Sequence, residues 1–195
     1  MSKKPKFINT SWNFYLDKVN PYAYWEKVFT KEECEKIIKI AKTKGLIQGT
    51  TNKNLNVRSN KISWLYSDDN IQWVFERITD IVLRLNSKYF NFDLHGICEG
   101  LQFTNYKAPS DKYGKHTDRC LNFIIRKLSI SIQLTDPKNY EGGELVLYGE
   151  DKGTEMKKEQ GTLIVFPSFL MHEVKPITKG ERNSLVTWVS GKQFK

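Results

Sequence analysis

Three side chains in the second half of the sequence have the types and the spacing of a metal site. His116 and Asp118 stand two residues apart, and His172 follows much later. On an extended segment, side chains two residues apart point to the same face, so His116 and Asp118 could bind one ion together. His172 comes after the apolar run 162–166 and a turn at 167–168, which would return the chain toward the same place. The sequence therefore predicts a metal held by two imidazoles and one carboxylate.

Arg182 stands ten residues beyond His172 and indicates a second kind of site. Two imidazoles and one carboxylate on one side of a metal leave other positions open, an arrangement typical of non-haem Fe(II) oxygenases. The stretch 182–189 reads as a strand, and its parity puts four side chains on one face: Arg182, Ser184, Val186 and Trp188. A guanidinium fork with a hydroxyl two residues on suits bidentate binding of a carboxylate.

The order of these residues resembles that of the 2-oxoglutarate-dependent Fe(II) dioxygenases, and it looks closest to their prolyl 4-hydroxylase branch. The segments that carry the resemblance cover about residues 98 to 191 and stand in family order: 101–106, 113–118, 140–145, 161–168, 172–174 and 179–182. Upstream, residues 57–65 look like the family's segment that leads toward the substrate groove. Collagen-type enzymes carry Lys where Arg182 stands, which argues against assuming a collagen substrate.

The resemblance implies cofactors and residue roles. Fe(II) would be bound by His116, Asp118 and His172, and dioxygen would take an open position on the metal. The co-substrate 2-oxoglutarate would be gripped by Arg182, with Tyr106 and Ser184 beside it. The implied reaction hydroxylates a substrate and releases succinate and CO2, with ascorbate as a reductant.

The substrate implied by the branch is a peptidyl proline in a peptide or protein partner. Arg58 and Trp64 would contact the peptide, and Trp188 would either border the substrate or simply pack in the core. A plain structural role for Arg58 and Trp64 is an open alternative. Hydroxylation of another side chain, a free amino acid or a small metabolite is the second interpretation, and a metal-binding module without turnover is a third.

Each predicted site residue also has an ordinary interpretation. A single His is more often a surface or core residue than a ligand, Arg182 alone would be a solvated strand charge, and Ser184 would be a filler. The chain has only three His, however, and two of them belong to the ordered set that includes Tyr106 and Arg182. The joint pattern favours the metal site, whereas His95 has no matching partner and is interpreted as structural.

Composition agrees with a single soluble enzyme domain. The chain has 195 residues, of which 39% are hydrophobic and 13% aromatic, enough for one substantial core. No apolar run is long enough to span a bilayer, and the first residues lack the apolar segment of a signal peptide, so we expect a cytoplasmic protein without a membrane partner. Cys34, Cys98 and Cys120 are odd in number and widely spaced, which favours free thiols in a reducing compartment.

A formal net charge of +9 allows two interpretations. It could favour an acidic or nucleic-acid partner through long-range attraction. The basic residues are scattered, however, and do not interleave with aromatic residues, so a nucleic-acid substrate is the less favoured interpretation. The sequence leaves the oligomeric state open.

The predicted fold is mostly β, a double-stranded β-helix or jelly-roll barrel supported by N-terminal helices, with residues 1–195 forming one domain. Residues 1–95 would supply the helical support and the substrate-side segment, and residues 96–191 the jelly-roll core. Thr30 and Glu33 form a capping box for a helix through about Lys44, and a second apolar stripe predicts a helix over 69–88. In the strand 128–134, Leu and Ile alternate with Ser and Gln, so one face would pack under the helices and the other would line a cavity. Regularly spaced strands without helices after residue 95 favour a jelly roll over a parallel sheet.

Overall fold

A computed structural model describes residues 19–49, 57–68, 70–119, 124–149 and 152–193. It contains two α-helices, α1 (Lys31–Thr43) and α2 (Gln72–Leu85), the second continued by a π-helical turn over Asn86–Phe90. Its strands are β1 (Ala23–Trp25), β2 (Ile47–Gly49), β3 (Arg58–Leu65), β4 (Leu94–Ile97), β5 (Leu101–Lys107), β6 (Lys112–His116), β7 (Arg126–Gln133), β8 (Tyr140–Gly142), β9 (Leu145–Tyr148), β10 (Thr154–Glu155), β11 (Leu163–Pro167), β12 (Met171–Val174) and β13 (Ile177–Gly191).

The strands form one curled antiparallel sheet with the order β1-β11-β7-β13-β5-β3-β6-β12-β9-β10. The short strand β2 adds to β3, while β4 and β8 both pair with the long strand β13. Apart from one 3₁₀ turn over Pro137–Asn139, the described residues after 95 contain no helix. The predicted fold class, a jelly roll supported by N-terminal helices, is therefore confirmed.

Both predicted helices are present and pack where their apolar stripes require. The Thr30 hydroxyl accepts a hydrogen bond from the Glu33 N–H, and the Glu33 carboxylate accepts one from the Thr30 N–H, which completes the capping box. Helix α2 is shorter than the predicted range 69–88. Residue 69 lies outside the described residues, and the end of the predicted range belongs to the π-helical turn. No helix in the described ranges combines the length and the apolar character needed to cross a bilayer.

The two faces of β7 separate the core from the cavity, as the alternation predicted. Leu128, Ile130 and Ile132 are fully buried in the core formed with α1 and α2. The polar face, with Ser129 and Gln133, is also buried, but it points into the inside of the curled sheet, where its hydroxyl and amide groups bond to other polar side chains. A buried polar face of this kind needs hydrogen-bond partners or a ligand.

The Cys residues that the structure describes are free thiols, with Cys34 buried and Cys98 exposed. Burial raises the pKa of the Cys34 thiol to about 12. Cys120 lies outside the described residues. The assignment of residues 1–195 to a single domain stays a prediction.

Candidate functional site

The antiparallel pairing of β6 with β12 brings the two predicted histidine ligands together. His116 is the last residue of β6, and its register partner across the sheet is His172 of β12. The Asp118 backbone N–H donates to the Ser168 carbonyl oxygen at 3.0 Å, which ties the end of this segment to the turn between β11 and β12. Asp118 lies beyond the strand rather than on it, so the expectation of one extended segment through both residues was right only up to His116. The expected juxtaposition nevertheless occurs.

The three side chains converge on one point. The Nε2 atom of His116 lies 3.7 Å from Oδ1 of Asp118, and Nε2 of His172 lies 3.4 Å from Oδ2 of the same carboxylate. One ligand atom from each residue falls within 4.8 Å of the others. The side chains of His116, Asp118 and His172 are only 14%, 9% and 7% exposed. Separations of this size leave space for one cation between the three groups.

Hydrogen bonds on the outer side of each group orient these ligand atoms. The Nδ1 atom of His116 lies 2.7 Å from the Gly114 carbonyl oxygen, and Nδ1 of His172 lies 3.0 Å from the Leu170 carbonyl oxygen. Because a carbonyl oxygen only accepts, each Nδ1 must carry the proton, and each Nε2 presents a lone pair to the shared point. The Ser129 hydroxyl donates to Oδ2 of Asp118 at 2.7 Å. Such outer contacts are typical of metal ligands, so the cluster fits a divalent cation such as Fe(II).

Electrostatics keep the cluster in the form that a metal needs. Burial would raise the pKa of Asp118, but the His172 and His116 imidazoles, with the Trp188 and Ser129 side chains, hold it below its ordinary value. Burial and, to a lesser extent, the proximity of His172 lower the pKa of His116 to about 4, against the attraction of Asp118. A charged carboxylate beside a neutral imidazole is the protonation state that coordinates metal ions.

A cavity of about 200 Å³ adjoins the cluster inside the curled sheet. The polar and aromatic residues of its lining come from seven strands and the segments next to them: Arg58, Trp64, Glu99, Gln102, Thr104, Tyr106, Tyr113, His116, Asp118, Arg126, Ser131, Phe166, His172, Arg182, Ser184 and Trp188. All nine residues predicted for the metal, the co-substrate and the substrate are therefore in one cavity.

Arg182 lies in this cavity as a cation with no acidic partner in the part of the chain that the structure describes. Its side chain belongs to a residue only 1% exposed, and among the described residues no Asp or Glu forms an ion pair with it. One Nη atom donates to Oε1 of Gln133 at 2.9 Å, and the other donates to the Ser184 hydroxyl at 3.3 Å. Nε has no hydrogen-bond partner in the described segments. Gly143 has a φ of +64°, and a Cβ there would lie 3.0 Å from Cδ of Arg182, so a larger residue would crowd the arginine.

Tyr106 and Ser184 both lie beside Arg182. Tyr106 is the register partner of Arg182 across β5 and β13, with the guanidinium carbon 5.6 Å from the ring centre. Burial raises the pKa of Tyr106, although the Arg58 and Arg182 charges act in the opposite direction, so the phenol keeps its proton. The Ser184 hydroxyl is 2.6 Å from the Thr104 hydroxyl. A buried cation surrounded by neutral hydroxyl and amide groups is chemically suited to a carboxylate ligand.

Of the predicted substrate residues, Arg58 and Trp188 are buried and Trp64 is half-buried. Trp64 and Trp188 face each other with ring centres 6.3 Å apart, and the Arg126 guanidinium stacks on Trp188 at 3.8 Å. Arg58 is buried rather than surface-exposed, with Nε donating to Asn60 and Nη2 donating to Gln102. His95 is exposed on β4 and takes no part in the cluster.

Sequence reasoning missed several residues of the site. Glu99 forms two hydrogen bonds of 2.6 Å with Arg126 in the cavity lining, and neither residue was predicted. Gln133, the amide that fixes Arg182, and Ser129, which bonds Asp118, were assigned only to a cavity-lining face. Strand alternation on β7 predicted the face on which these two side chains lie, but no sequence signal identified their hydrogen-bond partners.

Comparison with known proteins identifies related sequences. The family model described as the 2OG-Fe(II) oxygenase superfamily matches residues 101–190. A PKHD-type hydroxylase of Picosynechococcus sp. is 42% identical over 90 residues, which cover 46% of this chain and 41% of that protein. A PKHD-type hydroxylase of Maricaulis maris is 44% identical over 78 residues, which cover 40% of this chain and 36% of that protein. The matched region is thus about two fifths of each relative's length.

Solved structures share the fold over most of the chain. A prolyl-4-hydroxylase of Pseudomonas putida aligns with a TM-score of 0.71 at 18% identity, covering 89% of this chain and 94% of that one. A prolyl hydroxylase of Trichoplax adhaerens, in complex with a hypoxia inducible factor peptide fragment, aligns with a TM-score of 0.74 at 19% identity, covering 88% and 84%. The viral collagen prolyl hydroxylase of Paramecium Bursaria Chlorella virus-1, in a 2OG complex, aligns with a TM-score of 0.68 at 23% identity, covering 89% and 97%. Residues 101–190 therefore belong to the 2OG-Fe(II) oxygenase superfamily, and the chain has the fold of prolyl hydroxylases.

Proposed function

We propose that this protein is a hydroxylase that depends on Fe(II) and 2-oxoglutarate. The proposal rests on one observation: the same cavity contains a group of side chains suited to a cation and a separate side chain suited to an anion. Three converging ligands accept a cation at one point, and the buried Arg182, without an acidic partner among the described residues, accepts an anion at another. A metal ion and a dicarboxylate together satisfy both.

His116, Asp118 and His172 would hold the iron in this proposal. The Gly114 and Leu170 carbonyl oxygens keep each imidazole in the tautomer that leaves Nε2 free, and Ser129 holds the Asp118 carboxylate. Because these contacts exist within the protein alone, little reorganisation would accompany metal binding. Bound iron, with 2-oxoglutarate and dioxygen, supplies the oxidising chemistry that converts a C–H bond into C–OH and releases succinate and CO2.

Arg182 would pair with the carboxylate of 2-oxoglutarate that lies away from the metal. Its position is fixed by Gln133, while Ser184 and the protonated Tyr106 phenol add neutral donors beside it. In a cavity shielded from water, a charge-assisted hydrogen bond is stronger than on the surface. The aromatic and apolar lining, including Phe166 and Trp188, would keep water from the reacting groups.

The proposed substrate is a peptidyl proline within a peptide or protein, with Trp64 and Trp188 bordering the target residue. The shared fold with prolyl hydroxylases, one of them in complex with a peptide, supports this choice. Ascorbate as a reductant is part of the same proposal. A second candidate is a free amino acid, another side chain or a small metabolite, and the buried, positively charged Arg58 favours it.

The test is an assay of succinate formation with purified protein, Fe(II) and 2-oxoglutarate, with and without a panel of proline peptides. We expect succinate to depend on both cofactors, to rise in the presence of a substrate, and to accompany the gain of one oxygen atom by that substrate in mass spectrometry. The His95→Ala variant is the matched control, because this exposed histidine lies outside the cavity. Absence of succinate under all conditions, with a folded protein, would contradict the proposed function.

A further inference from the structure

Arg58 is a second buried cation in the cavity, and it lacks an acidic partner within the described ranges. The residue is 8% exposed, and no described Asp or Glu forms an ion pair with it. Its guanidinium is held by neutral oxygens, because Nε donates to Oδ1 of Asn60 at 2.9 Å and Nη2 donates to Oε1 of Gln102 at 2.8 Å. A buried charge paired only with amide oxygens is costly unless a ligand of opposite charge joins it.

Stacked rings place this cation beside the metal cluster. The guanidinium carbon of Arg58 lies 4.6 Å from the centre of the Tyr113 ring, and that ring stacks on His116 with centres 3.5 Å apart. Arg58 therefore sits one aromatic ring away from a proposed metal ligand. An anion bound to Arg58 would lie close to the reacting centre.

The third arginine of the cavity shows what a compensated cation looks like in this protein. Arg126 forms two hydrogen bonds of 2.6 Å with Glu99 and needs no further anion. The described lining contains three guanidinium groups (Arg58, Arg126 and Arg182) and two carboxylates (Glu99 and Asp118), so their charges sum to one positive charge. Fe(II) and the 2-oxoglutarate dianion cancel each other, so one positive charge remains in the loaded site.

We propose that Arg58 binds a carboxylate of the substrate, so that the enzyme acts on a carbon near a free carboxylate. This inference rests on the proposed hydroxylase function and narrows its substrate class. The single residual charge matches a carboxylate better than a doubly charged phosphate, and the planar guanidinium suits a carboxylate's two oxygens. The carboxylate could come from a free amino acid, from the C-terminus of a peptide or from an acidic side chain next to the target residue.

The test uses matched pairs that differ only in the carboxylate. The pairs are L-proline and L-prolinamide, a peptide ending in proline and its C-terminal amide, and a peptide with Asp next to proline and the same peptide with Asn. Succinate and incorporated oxygen are measured in air, and binding of each probe to the protein with Fe(II) and 2-oxoglutarate is measured by calorimetry under nitrogen. Binding thus provides a readout that needs no turnover.

We expect the carboxylate member of at least one pair to bind and react at least about tenfold better than its neutral partner, since hydrogen bonds to charged groups have this strength. Arg58→Gln should remove this preference while the affinity for 2-oxoglutarate stays within about twofold, and Arg58→Lys should keep part of it. Arg84→Gln is the matched control, because Arg84 is an exposed arginine of α2 paired with Asp80. That variant should behave like the unmodified protein.

Two results would overturn the proposal while leaving the hydroxylase function intact. The first is succinate formation with no preference for a carboxylate in any pair, by turnover or by binding. The second is an Arg58→Gln variant that loses affinity for 2-oxoglutarate and keeps the substrate preference, which would assign Arg58 to the co-substrate. Absence of succinate from the unmodified protein would instead overturn the proposed function, and this inference with it.

Discussion

The two ends of the cavity are built in different ways. At the metal end three side chains converge: His116 and His172 are each held by a backbone carbonyl two residues earlier, and Asp118 is held by the Ser129 hydroxyl of β7. At the other end, Arg182 is held by Gln133, which comes from a distant part of the chain, and by Ser184 on its own strand. The first end offers lone pairs to a cation, and the second offers a cation to an anion.

This difference indicates which parts of the site can be lost independently. The two histidines of the metal end depend on the pairing of β6 with β12, whereas Arg182 depends on the register between β7 and β13. A change at one end should therefore leave the geometry of the other end unaltered. Variants at each end separate metal binding from co-substrate binding.

The largest effect is expected at the metal end. His116→Ala, Asp118→Ala and His172→Ala should each abolish turnover and sharply weaken Fe(II) binding, because each removes one of the three proposed ligands. The measurements are succinate formation and metal content after dialysis, with circular dichroism to check folding. Normal turnover in any one variant would remove that residue from the metal site.

A smaller and separable effect is expected at the opposite end. Arg182→Ala removes a charge-assisted pair of roughly 1.5 to 3 kcal/mol, so the apparent affinity for 2-oxoglutarate should fall at least about tenfold. Fe(II) binding should stay unchanged, because Arg182 contacts none of the three ligands in the hydrogen bonds that hold it. Loss of metal binding in this variant would show that the two ends of the cavity are coupled, and would contradict their independence.

The same difference explains what could be predicted from the sequence. Alternation along β13 placed Arg182, Ser184 and Trp188 on the cavity face, and the structure has all three in the lining. The position of His172 was also predictable, because the turn before it is short. Motifs and alternation were sufficient to place these side chains on the cavity face.

The partners of the cations could not be predicted, because they depend on register between distant strands. Gln133 meets Arg182 only because Ser184 pairs with Gln133 across β7 and β13. Gln102 meets Arg58 through the pairing of β3 with β5, and Asn60 is its neighbour on the same strand. Alternation tells which face a side chain is on, but it does not tell which residue of another strand stands opposite.

The ends should also respond differently to pH, because only the metal end contains imidazoles. Burial in the folded protein lowers the pKa of the His116 imidazole from its ordinary value of 6.5 to about 4. At pH values between these two, the unfolded chain therefore binds more protons than the folded one. The stability of the metal-free protein should therefore fall as the pH is lowered through this window, and the lowered pKa of Asp118 extends the fall to more acidic pH.

The measurement for this pH effect is the melting temperature in the presence of a chelator at several pH values between 7.5 and 5, with roughly one-unit spacing. His116→Gln should flatten the decline, whereas the control His95→Gln should leave it unchanged, since His95 is exposed on β4. A His116→Gln curve parallel to that of the unmodified protein would show that His116 is not the group that titrates.

The smallest effect is expected from Tyr106, which stands beside Arg182 but carries no charge. Tyr106→Phe removes one neutral hydroxyl and keeps the ring, 5.6 Å from the guanidinium carbon. A neutral hydrogen bond contributes about 0.5 to 1.5 kcal/mol, so the apparent affinity for 2-oxoglutarate should fall by about two- to tenfold. The loss should be smaller than that in Arg182→Ala, and the Fe(II) affinity should not change. If Tyr106→Phe reduced the affinity for 2-oxoglutarate more than Arg182→Ala does, the buried cation would not be the main anion-binding group. The Tyr106 phenol would then take that role at this end of the cavity.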